Sequence, residues 1–295
     1  MTGLERGFLL LTSHLGDPDR KALTGAQMRV LADRVRNAQN PGEDRELSEK
    51  DLVSLGYSRE MASRIVKLLS QEDVLDHYLQ QGKRAGCVPV TRVSRDYPLI
   101  LRQRLGLDSP GCLWAKGDVS LLNTPAISLV GSRELRQENG RFAAAVGYHA
   151  AMQGLTLVSG NARGADRTAQ EACLNAGGRV ISIVADELGK YRQRRNVLYL
   201  SEDDFDEGFS AQRALRRNRC IHALGQVVFV AQADLHRGGT WDGTVKNLRF
   251  GWSNVVCFQD GSEAMMQLEQ MGAYLIGLEE LQDFSGLADL QMKMF

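Results

Sequence analysis

Two short stretches carry residue types whose spacing fits anion chemistry. Val130-Gly131-Ser132-Arg133 and Ser159-Gly160-Asn161-Ala162-Arg163-Gly164-Ala165-Asp166 each place glycine, a hydroxyl and an arginine directly after an aliphatic run. Glycine lets the backbone approach a ligand closely, and a helix start offers unpaired N–H groups to a negative charge. Two such loops side by side describe a phosphate pocket lined by Gly131, Ser132, Arg133, Ser159, Gly160, Arg163 and Gly164. The competing reading has Arg133 and Arg163 capping carboxylates on a structural turn. Arg237-Gly238-Gly239-Thr240-Trp241-Asp242-Gly243-Thr244 reads as a third glycine-rich loop, adding Gly239 and Thr240. Its Trp241 either stacks on a base or packs. No GxGxxG and no Walker A sequence occurs, so neither a dinucleotide cofactor nor an ATPase is indicated, and no cofactor is expected.

The elements that must position these loops follow from the flanking residues. Residues 126–130 are aliphatic and β-branched, too short for a helix and stopped at Gly131, as in a buried parallel strand. Residues 142–152 are Ala-rich with apolar residues at helical spacing, closed by Gly154. Residues 155–158 form a second strand, so the whole is one right-handed βαβ unit. A helix over 167–175, strands over 179–184, 226–230 and 255–258, and helices over 210–224 and 245–251 continue the alternation. The fold class is α/β, a mostly parallel Rossmann-like sheet, and ligands bind such sheets at the carboxyl ends of the strands.

Upstream, 27–38, 50–55 and 59–81 carry apolar residues three and four apart, with a polar loop at 40–44 and a helix start at Ser48. Three regions are expected: a helical N-terminal domain (1–85), a Rossmann-like domain (86–260), whose last sheet strand is 255–258, and a short helical tail (261–295).

Two basic clusters extend the pocket. Lys190, Arg192, Arg194 and Arg195 surround Tyr191, and Arg213, Arg216, Arg217 and Arg219 lie on the 210–224 helix. Residues 213, 216 and 217 share a face. That face is a solvated surface, an ion-pair face against Asp203, Asp204 and Glu207, or a phosphate track through Lys190, Arg192, Arg194, Arg217 and Arg219.

Lys+Arg and Asp+Glu both number 36, so any affinity for nucleic acid must come from local clustering. The five cysteines are scattered, with no CxxC or Cys/His pairing, which argues against a metal site and for a reducing cytoplasm. No stretch approaches the roughly 20 apolar residues of a membrane span.

Val130–Arg133, Ser159–Asp166, Leu200-Ser201-Glu202 and Arg217-Asn218-Arg219 together resemble the VGSR, SGxARGxD, LSE and RNR motifs of the DprA/Smf family of DNA-processing proteins. The likeness runs in matching order over roughly residues 85 to 260. It implies an extended Rossmann-like fold, single-stranded DNA binding, and delivery of the strand to a RecA-type recombinase in natural transformation. A homodimer is compatible with it. The sequence departs from the family at Arg192, where a Pro is usual, and in the Gly238–Thr244 stretch. That stretch partly resembles the PGGxGTxxE loop of LOG-type phosphoribohydrolases, but Asn247 stands where their Glu would fall. Hydrolysis thereby loses its best acid or base. The expectation is a non-enzymatic strand binder; the alternative is a nucleotide sensor or LOG-like hydrolase.

Overall fold

The structure is a computed structural model and describes residues 1–38 and 47–288. The polar loop at 40–44 and the end of the C-terminal tail lie outside the described residues. Helices α1 (Gly3–Thr12), α2 (Gly25–Arg36), α3 (Glu49–Ser54), α4 (Arg59–Leu69) and α5 (Glu72–Arg84) come first. Then follow β1 (Val88–Thr91), α6 (Leu99–Leu105), β2 (Cys112–Lys116), β3 (Ala126–Val130), α7 (Gln137–Met152), β4 (Thr156–Ser159), α8 (Ala165–Asn175) and β5 (Arg179–Ile183). The chain continues through β6 (Val197–Ser201), α9 (Ala211–Leu224), β7 (Val227–Val230), α10 (Gly238–Phe250), β8 (Asn254–Phe258), α11 (Glu263–Gln270) and β9 (Tyr274–Ile276).

The nine strands form one sheet in the order β1-β2-β6-β5-β4-β3-β7-β8-β9, parallel except where β2 pairs with β1 and β6. The order runs outward from β3 in both directions, so the topological switch lies between β3 and β7. At such a point the following helices diverge to opposite faces and leave a crevice. Alternation along β3 shows how the sheet is covered on both sides. Ile127 and Leu129 face Phe142, Val146 and Ala169 of α7 and α8. Ala126 and Val130 face the layer holding Leu101, Ile221, Trp241 and Met265, from α6, α9, α10 and α11. This is why the strands read as continuous apolar runs and not as alternating ones. Leu23, Leu31, Leu52, Ile65 and Leu68 form a third core among the first four helices, joined by Leu11 of α1. The same helix sends Leu9 and Leu10 into the sheet's core. Tyr78 on α5 adds a 2.7 Å hydrogen bond to Asp206.

Four expectations change. The helix expected over 59–81 is two, because the Ser70 hydroxyl donates to the Lys67 carbonyl at 3.0 Å and closes α4. Residues 197–201, of which only Leu200 and Ser201 belong to the Leu200-Ser201-Glu202 motif and for which no strand is expected, form strand β6. The strand at 255–258 is not the last, since Tyr274–Ile276 pairs in parallel beyond it. The stretch 238–244 is not a loop: α10 begins at Gly238, so Gly239 and Thr240 are its first turn. The chain reverses sharply on either side of Arg237, with φ of 57° at His236 and 79° at Gly238, where glycine accepts it without strain.

Helices α7 and α8 pack so closely that a Cβ on Gly147 would overlap the Ala169 carbonyl. Alanine normally favours a helix interior over glycine by roughly 1 kcal/mol, but here overpacking opposes it. Gly147→Ala is expected to destabilise the protein by about 1–3 kcal/mol in urea denaturation. A stabilised variant would show that the two helices are not in contact at this position.

Candidate nucleic-acid interface

The loops after β3, β4 and β7 meet at the crevice. The Ser132 amide donates to the Gln232 carbonyl (3.0 Å), and the Ala165 amide donates to the Ser132 carbonyl (3.1 Å). A Cβ on Gly131 would come within 2.5 Å of the Ala165 Cβ, and one on Gly164 within 2.5 Å of the Ser132 carbonyl oxygen. Gly164 also has φ of 84°, so this glycine is required twice over. Gln232 fastens the first loop by accepting from the Arg136 amide (2.9 Å) and donating to the Glu134 carbonyl (3.0 Å). Helices α7, α8 and α10 all start here, and none has a side-chain hydrogen bond at its N-cap. Their first-turn N–H groups and positive dipole ends favour an anion.

Arg217 is the charge at the centre. It is 7% exposed, and its guanidinium lies against Gly160 so closely that a Cβ there would overlap it. Its Nη1 donates to the Ile183 carbonyl at 2.6 Å, whereas its buried Nε has no protein partner. Burial lowers the Arg217 pKa from its ordinary value, and Asp166 opposes that shift. Asp166, equally buried, is raised by desolvation and pulled back by Arg217 and by the Ala162 and Gly160 amides. Its bond from the Ala162 amide is 3.0 Å. Arg133 stands exposed above this pair, and its charge acts on both. Arg163 is 71% exposed and pairs at 3.1 Å with Glu134, itself 86% exposed.

The other expected site residues separate from this group. The hydroxyl of Ser159 is buried and accepts from Gln170 Nε2 at 2.6 Å, so its side chain holds α8 to the sheet and does not line the crevice. Ser132 Oγ accepts from the Glu134 amide at 3.2 Å. Lys190 stays at the carboxyl edge but is paired with Asp186 (3.0 Å) and Glu187 (3.6 Å). Arg192 and Arg194 line a hollow with Leu174 and Asn175. The Val197 amide that opens β6 donates to the Arg194 carbonyl, which places Arg194 at the amino edge. A track joining Arg194 to Arg217 is therefore contradicted, since the strands run between them.

Arg219 faces away from Arg217, because side chains two apart on a helix point in different directions. It makes a 2.6 Å ion pair with Glu202, whose side chain is 2% exposed, and donates to the Asp108 carbonyl at 3.0 Å. Arg216 binds the same Glu202 (3.2 Å) and Asp203, and Arg213 binds Glu207. The ion-pair face is thus what the structure contains for Arg213, Arg216 and Arg219, with Arg217 as the exception. Trp241 is buried against His236 in the core, so it packs and cannot stack on a base. Asn247 is buried too, donating to Ser253 Oγ (2.9 Å) and meeting His222 Nδ1 (3.2 Å). Among the described residues no group of His, Cys, Asp or Glu could hold a metal ion, and no helix is long and apolar enough to cross a membrane.

An open, mostly parallel α/β sheet with glycine loops and uncapped helix starts at its carboxyl edge defines a Rossmann-like fold. The chain belongs to the DNA recombination-mediator protein A family, whose model matches residues 89–276. It is similar to the Smf protein of Escherichia coli K12, 30% identical over 142 residues. It is likewise similar to the DNA processing protein DprA of Streptococcus pneumoniae R6, 30% identical over 145 residues. Each match takes in 44% of this chain, and 38% and 50% of those relatives' lengths. The solved structure of S. pneumoniae DprA shares the fold with a TM-score of 0.69 at 24% identity, over 94% of this chain and 95% of that one. The DNA processing protein A of Helicobacter pylori, described for its single-stranded DNA binding mode, aligns with a TM-score of 0.56 at 24% identity. That alignment covers 71% of this chain and 97% of that one.

Glu202 and Glu134 offer a direct contrast between buried and exposed ion pairs. Removing one partner of a buried pair costs about 3–5 kcal/mol, and an exposed pair contributes about 0–1 kcal/mol. Glu202→Ala is expected to lose stability on the first scale and Glu134→Ala on the second, measured side by side in urea. Equal losses would contradict the buried role of Glu202.

Proposed function

We propose that this chain is a non-catalytic binder of single-stranded DNA that grips the sugar–phosphate backbone at the carboxyl-edge crevice and passes the strand to a RecA-type recombinase. The observation that carries the reading is the buried Arg217 guanidinium under Gly160, with an unfilled Nε donor and with Arg133 and the α8 helix start above it. Such a floor presents fixed positive charge to a phosphate without reading base sequence. Membership in a recombination-mediator family supports the reading, as does the strand binding described for the H. pylori relative. Hydrolysis is disfavoured because Asn247, where a LOG-type enzyme would carry its Glu, is occupied by Ser253 and His222 inside the core.

One observation favours a second reading. Arg213, Arg216 and Arg219 are neutralised by the acidic segment, which leaves fewer cations on α9 to follow a strand beyond the crevice. A free-nucleotide sensor would need no more.

Salt dependence tests the first reading. With about two or three phosphates neutralised, log affinity should fall with log salt at a slope of about −1.4 to −2, at roughly −0.7 per phosphate on single strands. Arg133→Ala should weaken binding by about 1.5–3 kcal/mol, the range for a hydrogen bond to a charged group. Arg194→Ala should leave affinity within about 0.5 kcal/mol of the parent, as surface changes away from a site do. Loss of binding in the Arg194 variant with none in the Arg133 variant would put the strand on the opposite edge.

A further inference from the structure

Burial of Trp241 removes it as the aromatic platform that single-strand sites use. Three aromatic side chains are strongly exposed among the described residues: Tyr148, Phe209 and Phe250. Phe250 ends α10, stacks on Trp252 and lies towards the amino ends of the strands. Tyr148 lies near the far end of α7, against His149. Phe209 is different: it belongs to the segment that leaves β6 at the carboxyl edge and leads into α9.

We propose that Phe209 is the base-stacking residue of this site, taking the face of one nucleobase of a strand whose phosphate sits at Arg133 and Arg217. The inference rests on the strand-binding reading above and extends it to the bases. Phe209 is 61% exposed although the peptide bond that leads into it is held at both its carbonyl and its amide. Arg213 Nη1 donates to the Gly208 carbonyl at 2.6 Å, and the Phe209 amide donates to the Asp186 carboxylate. Asp186 is itself fixed by Lys190 Nζ (3.0 Å) and the Glu187 amide (2.9 Å). Burial pushes the Asp186 pKa up, but these donors outweigh it and hold the carboxyl below its ordinary value, so the anchor stays ionised at neutral pH.

Asp186 also ties Phe209 to the crevice wall. It follows β5 by three residues from Ile183, whose carbonyl accepts from Arg217, and Arg217 in turn lies against Gly160. Next to it, Tyr191 bonds the Asn161 side chain of the β4 loop and stacks on Tyr199. A pinned backbone carrying a solvent-facing ring exposes apolar surface with little conformational freedom left to lose on stacking. A ring with a packing role would be covered, as Phe205 is four residues earlier.

The test compares an oligothymidylate with an abasic strand of the same length, for the parent, Phe209→Ala and Phe209→Tyr. The parent should prefer the base-bearing strand by about 5- to 150-fold, the stacking range for one base. Phe209→Ala should lose that preference while keeping the parent's salt slope and its affinity for the abasic strand. Phe209→Tyr should restore the preference. Phe209→Ala retaining it, or a parent indifferent to bases, would overturn the inference and leave phosphate binding standing. A parent that binds neither strand would overturn the strand-binding reading together with it.

Discussion

A buried guanidinium with no carboxylate in direct contact is costly, and the carboxyl edge of this sheet is built around one. Arg217 is placed there by α9, held at 2.6 Å by the Ile183 carbonyl and covered by a loop that tolerates no side chain at Gly160. The charge is balanced at longer range by Asp166, which is itself engaged by the amides of the loop above. Each of these groups needs the others: the glycine makes room, the aspartate compensates and shapes the loop, and the helix start of α8 follows from that shape. Desolvated positive charge of this kind is poorly served by protein alone, which is why the proposed strand site is centred on it.

The same helix shows how neighbouring residues of one type are given opposite tasks. Arg213, Arg216 and Arg219 turn towards 202–207, where Glu202 is nearly inaccessible and takes two of them. They secure the segment between β6 and α9. With its outer arginines neutralised, α9 presents Arg217 alone of its arginines to the carboxyl ends of β4 and β5. The formal net charge of zero is consistent with an electrostatic design that is local.

Much of the architecture is legible in the residues. Ala126–Val130 and Thr156–Ser159 are unmistakable because parallel strands covered on both faces are largely apolar with only small polar residues among them, and glycine follows each one. The pocket loops follow from the same reading. What the sequence conceals is direction. Arg216, Arg217 and Arg219 look alike in a row, and only the packing of α9 against β4 and β5 decides that the middle one turns inward. Val197–Ser201 is short and merges with a charged stretch; once it is a strand, Arg194 must precede it at the amino edge, opposite the pocket. Gly238 to Thr244 has the composition of a loop, yet a left-handed residue at His236 lets the helix start early. Asp166, which closes its motif, was visible as a residue type but not as the counter-charge of a side chain 51 positions away. Phe209 carries no motif at all, and exposure alone distinguishes it.

Hydrogen–deuterium exchange of the protein with and without an oligothymidylate locates the bound strand most directly. The amides of 131–136 and 160–165, with those opening α10 at 238–240, are predicted to gain protection together, while 192–196 remain as in the free protein. Protection confined to 192–196, or spread over the N-terminal helices with the crevice unchanged, would contradict the assignment of the crevice as the binding site.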